Sequence, residues 1–309
     1  PLLLEAKKQG IPFSNDAQIF LQAAPCKVIG ITGSAGKTTA TTLVHLMAKA
    51  AVKKGIYKQA FIGGNIGNPL IADLDNMTQD DIVVMELSSF QLEQFSTSPK
   101  VAALLNITPN HLDRHVTMEA YTKAKQNILK FQNPEDFAIL GREDQIAWGS
   151  SANIKGNILS FGHEKIEIEQ FGTFIHEDHI WIRYVEGESQ IMPVDEVALI
   201  GDHNLLNVLA ACAIAAAAGL PIETMRTGIN SFEGIPHRLE FVRSWGGADW
   251  YNDSIATAPE RSMAGILSFD QSIVLLAGGR DKDLPWDDFA ILVAEKVDHI
   301  ILFGEAVDI

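Results

Sequence analysis

The sequence predicts an α/β protein. Its main element is a doubly wound, mostly parallel sheet with a small antiparallel sheet appended, and a second, incomplete α/β domain follows. Three observations predict this. Short apolar runs alternate with stretches of helical spacing along most of the 309 residues. The early apolar runs each end at a polar or glycine-rich loop. The first of them leads into a glycine turn and then directly into a helix.

That first unit sets the pattern for the rest. Val28, Ile29 and Ile31 form a short apolar run bounded by turn residues, which reads as a buried strand. Gly33-Ser34-Ala35-Gly36 make a turn whose backbone can approach a ligand closely. From Lys37 the spacing becomes helical, with Leu43, Leu46, Met47 and Ala50 on one face. Strand, glycine turn and helix together aim backbone N–H groups and a helix N-terminus at a phosphate. Lys37 adds a positive charge for terminal phosphates, and Thr38 or Thr39 offers a hydroxyl to Mg²⁺. The loop is a shortened variant of the usual motif, because Ile31 stands where a glycine is normally found. A glycine turn with a solvated lysine is the plain alternative. The apolar strand before it and the run of threonines after it favour ATP binding.

The next strands are read at 56–62, Ile82–Met85 and Val101–Leu105. They end at Gly63–Gly67, Glu86–Ser89 and Asn106–His111, and in doubly wound sheets ligands sit beyond such strand ends. A helix at 118–131 carries Lys123, Lys125 and Lys130. Between 158 and 194, Gly162, Gly172 and Gly187 punctuate alternating runs such as Ile180–Tyr184, which reads as the small antiparallel sheet. Helical spacing returns at 204–218, stops at Gly219-Leu220-Pro221, and resumes at 222–232. Gly234-Ile235-Pro236 marks a domain boundary, giving domains at 22–234 and 235–309. The second domain reads as Rossmann-like: a strand pair around 239–252, a helix after Pro259, a strand at 272–277, a helix at 286–297 and a strand at 300–303. Pro1 at the start and the half-built second sheet at the end read as a fragment of a longer enzyme, with residues 1–21 too few for a domain.

Composition narrows the function classes. Hydrophobic residues make up 47% and charged residues 20%, enough for a substantial core. The formal net charge of −15 argues against nucleic acid as a partner, since the phosphate backbone needs clustered Lys and Arg. Cys26 and Cys212 show no metal spacing and no disulfide framework. No apolar run is long and pure enough for a bilayer, and no secretory leader is visible, so the expected setting is cytoplasmic, without a membrane partner. The expected state is a monomer, which no sequence feature here decides.

Two residues stand out at the strand ends. Glu86 closes a four-residue apolar strand beside Ser88, Ser89 and Gln91, where a carboxylate can hold Mg²⁺ against phosphates; a solvent-facing Glu is the alternative. His111 lies in Asn110-His111-Leu112-Asp113-Arg114-His115, and can ligate metal through one ring nitrogen, although a lone His is more often structural.

These stretches, together with Gly64-Asn65-Ile66-Gly67, Glu86–Leu92, Gly201-Asp202-His203-Asn204, Pro236-His237-Arg238 and Tyr251-Asn252-Asp253-Ser254, resemble the Mur ligases, ATP-dependent amide-forming enzymes of peptidoglycan assembly. They occur in family order over nearly the whole chain. The Gly64–Gly67 and Glu86–Leu92 stretches are most similar to the member that adds D-glutamate to UDP-N-acetylmuramoyl-L-alanine; siblings, including folylpolyglutamate synthases, and an ATP-binding module without turnover are the alternatives. The resemblance implies that 1–21 is the remnant of a UDP-binding domain, 22–234 the ATP-binding domain and 235–309 a truncated amino-acid-binding domain. It implies that Gly33, Ser34, Ala35, Gly36, Lys37, Thr38, Thr39, Asn204, Asn207, Arg238 and Asp253 bind ATP. Thr38 and Glu86 would hold one Mg²⁺, and His111 with an N-carbamylated Lys125 a second; Lys123 is the rival lysine. Lys37, Glu86, His111, Lys125 and Arg238 would be catalytic, and Asn65, Ser88, Phe90 and Gln91 would contact substrate. Ile255 stands where many relatives have lysine, and Arg280 and Lys282 are candidates for D-glutamate or phosphate instead.

Overall fold

The structure is a computed structural model that describes residues 5, 8–11, 13–167, 170–185, 187–280 and 284–308. The chain divides into two compact units: Pro1–Val197 with Leu206–Phe232, and Ala198–Leu205 with Glu233–Ile309.

The larger unit is built on a nine-stranded sheet. Its strands are β1 (Lys27–Thr32), β2 (Ala60–Gly64), β3 (Ile82–Glu86), β4 (Val101–Leu104), β5 (Phe137–Gly141), β6 (Asn157–Phe161), β7 (Phe171–His176), β8 (His179–Tyr184) and β9 (Gly187–Pro193). They lie in the order β2-β3-β1-β4-β5-β6-β7-β8-β9. The first seven in this order run parallel. β7, β8 and β9 pair antiparallel, so the expected antiparallel strands extend the main sheet by hydrogen bonding to its edge. The chain leaves β1 on one side toward β3 and returns on the other as β4. The crevice between β3, β1 and β4 is therefore the switch point of the sheet.

Both faces of these strands are covered. On one face Val28, Val83, Met85, Ala102 and Leu104 pack with Ala17 and Phe20 of the helix Asp16–Ala23 and with Tyr121 and Ile128 of the helix Met118–Lys130. Successive strand residues point to opposite faces, so the other face takes Ile29, Ile31 and Val84, all fully buried. The helix Lys37–Lys53 packs on that side and also against the helix Ile222–Asn230. Their contact is close at Gly228, where a Cβ would lie 2.5 Å from Met47 Cγ.

Strand β2 starts later than the 56–62 expected. The helix before it ends with Gly55 at a φ of 75°, and the N–H groups of Gly55 and Ile56 bond back to the carbonyls of Val52 and Ala51. Ile56 and Tyr57 thus serve the helix stop, which uses an apolar residue just past the glycine. The helix expected from 204 begins at Asp202.

The smaller unit holds an antiparallel hairpin, β10 (Glu240–Trp245) with β11 (Ala248–Asn252), and a helix Pro259–Ile266 that opens on its proline. The parallel pair β12 (Val274–Gly279) and β13 (His299–Gly304) is joined through the helix Asp287–Lys296. Among the described residues no helix is long and apolar enough to cross a membrane.

Candidate active site

The loop after β1 is fixed by its neighbours. The Ser34 N–H donates to the Asn106 carbonyl at 2.9 Å, and the Ala35 N–H to Asn106 Oδ1 at 2.8 Å. Ser34 Oγ donates to the Thr108 carbonyl and accepts the Thr108 N–H, both at 2.9 Å, and lies 3.0 Å from the Tyr121 hydroxyl. The segment after β4 therefore holds the loop after β1. Gly36 has a φ of 79°, and a Cβ there would lie 2.1 Å from Asn207 Oδ1. Only glycine satisfies both demands. Gly36 caps the helix Lys37–Lys53 without a side-chain bond, leaving the helix's first N–H groups for a ligand.

Glu86, at the end of β3, is buried (1% exposed). Thr38 Oγ1 donates to its Oε2 and Asn65 Nδ2 to its Oε1, each at 2.9 Å. Asn65 is itself placed by its N–H, which donates to the Glu86 carbonyl at 2.8 Å. Of the two threonines, Thr38 meets Glu86, while Thr39 is buried with its hydroxyl unpartnered. Among the described residues no three His, Cys, Asp or Glu side chains form a group able to hold a metal ion. Thr38 and Glu86 fit Mg²⁺ nonetheless, because Mg²⁺ uses one or two carboxylates and completes its shell with phosphate oxygens and water.

Two lysines converge on one backbone carbonyl. Lys37 Nζ donates to the carbonyls of Gly33 (2.9 Å) and Ser34 (3.2 Å), and Lys125 Nζ to that of Gly33 at 2.8 Å. Lys125 is buried at 2% exposure, its Nζ 4.8 Å from the centre of the Tyr121 ring one helical turn earlier, whereas Lys123 is exposed. Burial first, and the Lys37 ammonium second, bring the Lys125 ammonium down from 10.5 to about 7, while Glu86 acts in the opposite sense. A buried lysine held near neutrality is available in part as a free amine, the form that reacts with CO₂.

A cavity of about 210 Å³ opens beside these groups, lined by Lys37, Asn65, Ser88, Ser89, Phe90, His111, Tyr121 and Lys125. His111 sits there at a φ of 53°, its ring edge-on to Phe90 at 5.3 Å. Ser88 lines the cavity and caps the short helix Ser89–Leu92. The Gln91 side chain closes the capping box by accepting from the Ser88 N–H and Oγ, each at 3.0 Å. Sequence reasoning missed Ser89 and His115. His115 lies within a quoted stretch, but its bond to Ser89 spans 26 positions, which no local spacing reveals.

Asn204 and Asn207 lie on the helix Asp202–Ala217, both buried, with Asn204 Nδ2 donating to the Ile200 carbonyl at 2.8 Å. In the smaller unit, Arg238 sits between His237 (φ 65°) and Leu239 (φ 41°), both in the left-handed region. The His237 N–H donates to Glu240 Oε2 at 2.7 Å, and the Leu239 N–H to Asp253 Oδ1 at 3.1 Å. Burial raises the Asp253 carboxyl, against the pull of that amide and of Arg238. Arg280 is exposed and paired with Glu305, and Lys282 lies outside the described residues.

Comparison with known proteins follows the same geography. The Mur ligase middle domain family matches residues 31–215. The UDP-N-acetylmuramoylalanine--D-glutamate ligase of Symbiobacterium thermophilum is 40% identical over 304 residues, covering 98% of this chain and 66% of that protein. Its counterpart in Acetivibrio thermocellus is 38% identical over 305 residues, covering 99% and 64%. The chain thus spans about two thirds of the length of the curated relatives it matches. Among solved structures, the MurF of Acinetobacter baumannii superposes with a TM-score of 0.70 at 24% identity, over 92% of this chain and 65% of that one. The MurF ligase of Thermotoga maritima, in complex with ADP, gives 0.66 at 18% identity, over 94% and 69%. At these identities the structural likeness speaks to fold alone.

Proposed function

The chain belongs to the Mur ligase family, and from that premise we propose that it carries the ATP-binding and amide-forming machinery of a ligase that adds D-glutamate to UDP-N-acetylmuramoyl-L-alanine. In this reading the substrate carboxylate accepts the γ-phosphoryl group of ATP, the bond to the β-phosphate oxygen breaks and ADP is the leaving group. The amine of D-glutamate then attacks the acyl phosphate, and phosphate leaves as the amide forms. A carboxylate is a poor acyl donor, so phosphorylation supplies the leaving group.

The observation that carries the proposal is the chain Thr38–Glu86–Asn65 beside a glycine loop, with a buried lysine of depressed basicity on the same cavity. The loop amides and Lys37 bind the β- and γ-phosphates. Thr38 and Glu86 would hold one Mg²⁺, and His111 with a carbamylated Lys125 would hold a second. Ions held there would supply positive charge against the two anions that must meet, the γ-phosphate and the substrate carboxylate. Asn65, Ser88 and Phe90 orient the substrate. We further propose that Asn204, Asn207, Arg238 and Asp253 bind the nucleotide, Arg238 by stabilising the charge that spreads over the transferring phosphoryl group. Residues 22–234 form the ATP-binding domain and 235–309 contribute to the amino-acid domain. The choice of D-glutamate is supported by the names of the relatives at 38–40% identity.

The test is phosphate release by the purified protein with ATP, Mg²⁺ and UDP-N-acetylmuramoyl-L-alanine. Release that needs D-glutamate, and that neither L-alanine nor L-glutamate supports, is the expected result. Release driven by L-alanine or L-glutamate assigns a sibling activity instead. ATP binding without release, unchanged by Glu86→Ala and Lys125→Ala, reduces the chain to a nucleotide-binding module.

A further inference from the structure

One buried imidazole touches three walls of the cavity without lining it. The His115 side chain is 1% exposed. Its ring stacks on Phe90 at 5.0 Å with planes 9° apart, and meets the Tyr121 ring edge-on at 5.1 Å. Its Nε2 is 2.9 Å from Ser89 Oγ, and its Nδ1 is 3.1 Å from Glu93 Oε1. Ser89, Phe90 and Tyr121 all line the cavity.

With Glu93 ionised and the His115 ring neutral, the partners set the direction of these bonds. An ionised carboxylate only accepts, so the His115 proton sits on Nδ1, facing Glu93. In the neutral ring Nε2 is then the acceptor, and the Ser89 hydroxyl must donate to it. A hydroxyl has one proton and two lone pairs. With its proton committed to His115, Ser89 has only acceptor capacity to offer the cavity. Around it Lys37, Lys125 and Asn65 Nδ2 supply positive charge or N–H donors, while Ser88, whose Oγ donates to Gln91 Oε1, is a second hydroxyl with acceptor capacity on the same wall. The charges and N–H donors suit the anionic parts of a substrate and leave an N–H to the hydroxyls.

We propose that Ser89 is a hydrogen-bond acceptor on the cavity wall for an N–H of the substrate, and that His115 and Glu93 are positioning residues that keep it one. The inference rests on the ligase reading above, which supplies two N–H donors: the amide of UDP-N-acetylmuramoyl-L-alanine and the amine of D-glutamate. A neutral hydrogen bond of this kind is worth about 1 to 1.5 kcal/mol, or roughly five- to tenfold in apparent affinity.

Steady-state kinetics on the purified protein tests this with separate KM values for ATP, the sugar nucleotide and D-glutamate. Ser89→Ala raises one of the last two about five- to tenfold and leaves the KM for ATP unchanged; which one rises identifies the donor. His115→Phe keeps the stack on Phe90 but removes the acceptor nitrogen, and produces the same selective rise. Ser89→Thr, which keeps the hydroxyl, and His115→Gln, whose amide oxygen can accept, restore part of the affinity. The inference is overturned if Ser89→Ala leaves both KM values within twofold of wild type, or if all three rise together. It is overturned for His115 if His115→Phe lowers Tm without the selective KM change. If the wild-type protein releases no phosphate with ATP, Mg²⁺, the sugar nucleotide and D-glutamate all present, the ligase reading itself fails and takes the inference with it. Turnover by the wild type with an unresponsive Ser89→Ala variant overturns the inference alone.

Discussion

Strands β1, β3 and β4 and strands β12 and β13 look alike as sequence, and each set is a parallel array of short apolar runs. Their surroundings differ. Ile29, Ile31, Val84 and Leu104 are 0% exposed, whereas Val274, Leu276, Ile301 and Phe303 are about half exposed, at 55%, 49%, 53% and 53%. The first set has helices on both faces and strands on both sides, while β12 and β13 form a two-stranded sheet. The first environment holds a carboxylate at 1% exposure and a lysine at 2%, and buried ionisable groups of this kind need partners fixed by the packing around them. The polar chemistry at the strand ends therefore depends on the depth of the sheet behind it.

Four measurements sharpen or break that contrast. The largest effect is expected at Lys125. Lys125→Ala lowers the rate of phosphate release about 10²- to 10³-fold, as loss of a preorganised charge-stabilising group does, with partial rescue by short-chain carboxylates. Turnover near the wild-type rate ends the assignment of Lys125 to the reaction. Next come the two sheets themselves. Ile29→Ala destabilises the protein by about 2 to 5 kcal/mol in denaturant titration, and Ile301→Ala by under about 1 kcal/mol. Equal losses would show that fractional exposure does not separate the two environments.

The third effect is a slope with pH. Folding lowers the Lys125 ammonium from 10.5 to about 7. Between these values the unfolded chain binds the proton that the native protein has released, so this group makes stability rise with pH across that window. The slope contributed is at most about 1.4 kcal/mol per pH unit. In bicarbonate-free buffer, Lys125→Met should remove it, and an unchanged slope would mean the lysine is not depressed. The smallest effect is at Arg280, whose pairing with Glu305 is exposed on both sides. Arg280→Ala should change stability by less than about 1 kcal/mol in the same titration.

Much of the central sheet was legible in the sequence because its signals are local. The apolar run at Val28–Ile31, the glycine turn and the helical spacing from Lys37 each have a short period, and Glu86 is conspicuous as a charge at the end of four apolar residues. Strand β5 was not legible: Phe137–Gly141 is too short, and too mixed with alanine and glycine, to show a period. The start of β2 was misplaced because Ile56 and Tyr57 are apolar for the sake of a helix stop. Within the site, Lys125 was separable from Lys123 only through the motif around it. Burial, which distinguishes them physically, depends on the strands that the helix Met118–Lys130 covers. The pairing of Ser89 with His115, and the turning of Gln91 toward Ser88, follow from tertiary contact and side-chain rotamers, which a linear pattern does not encode.

The peptide joining Gly33 to Ser34 is clamped at both ends. Its oxygen receives two amines, and its N–H is taken by the Asn106 carbonyl. A carbonyl oxygen has two lone pairs, and here both are spent on side chains from separate helices. Flipping this one plane would break three bonds together, so the loop has a single orientation before any guest arrives. An incoming anion that draws Lys37 outward loosens one of those fastenings and leaves Lys125 and Asn106 to keep the cradle in shape.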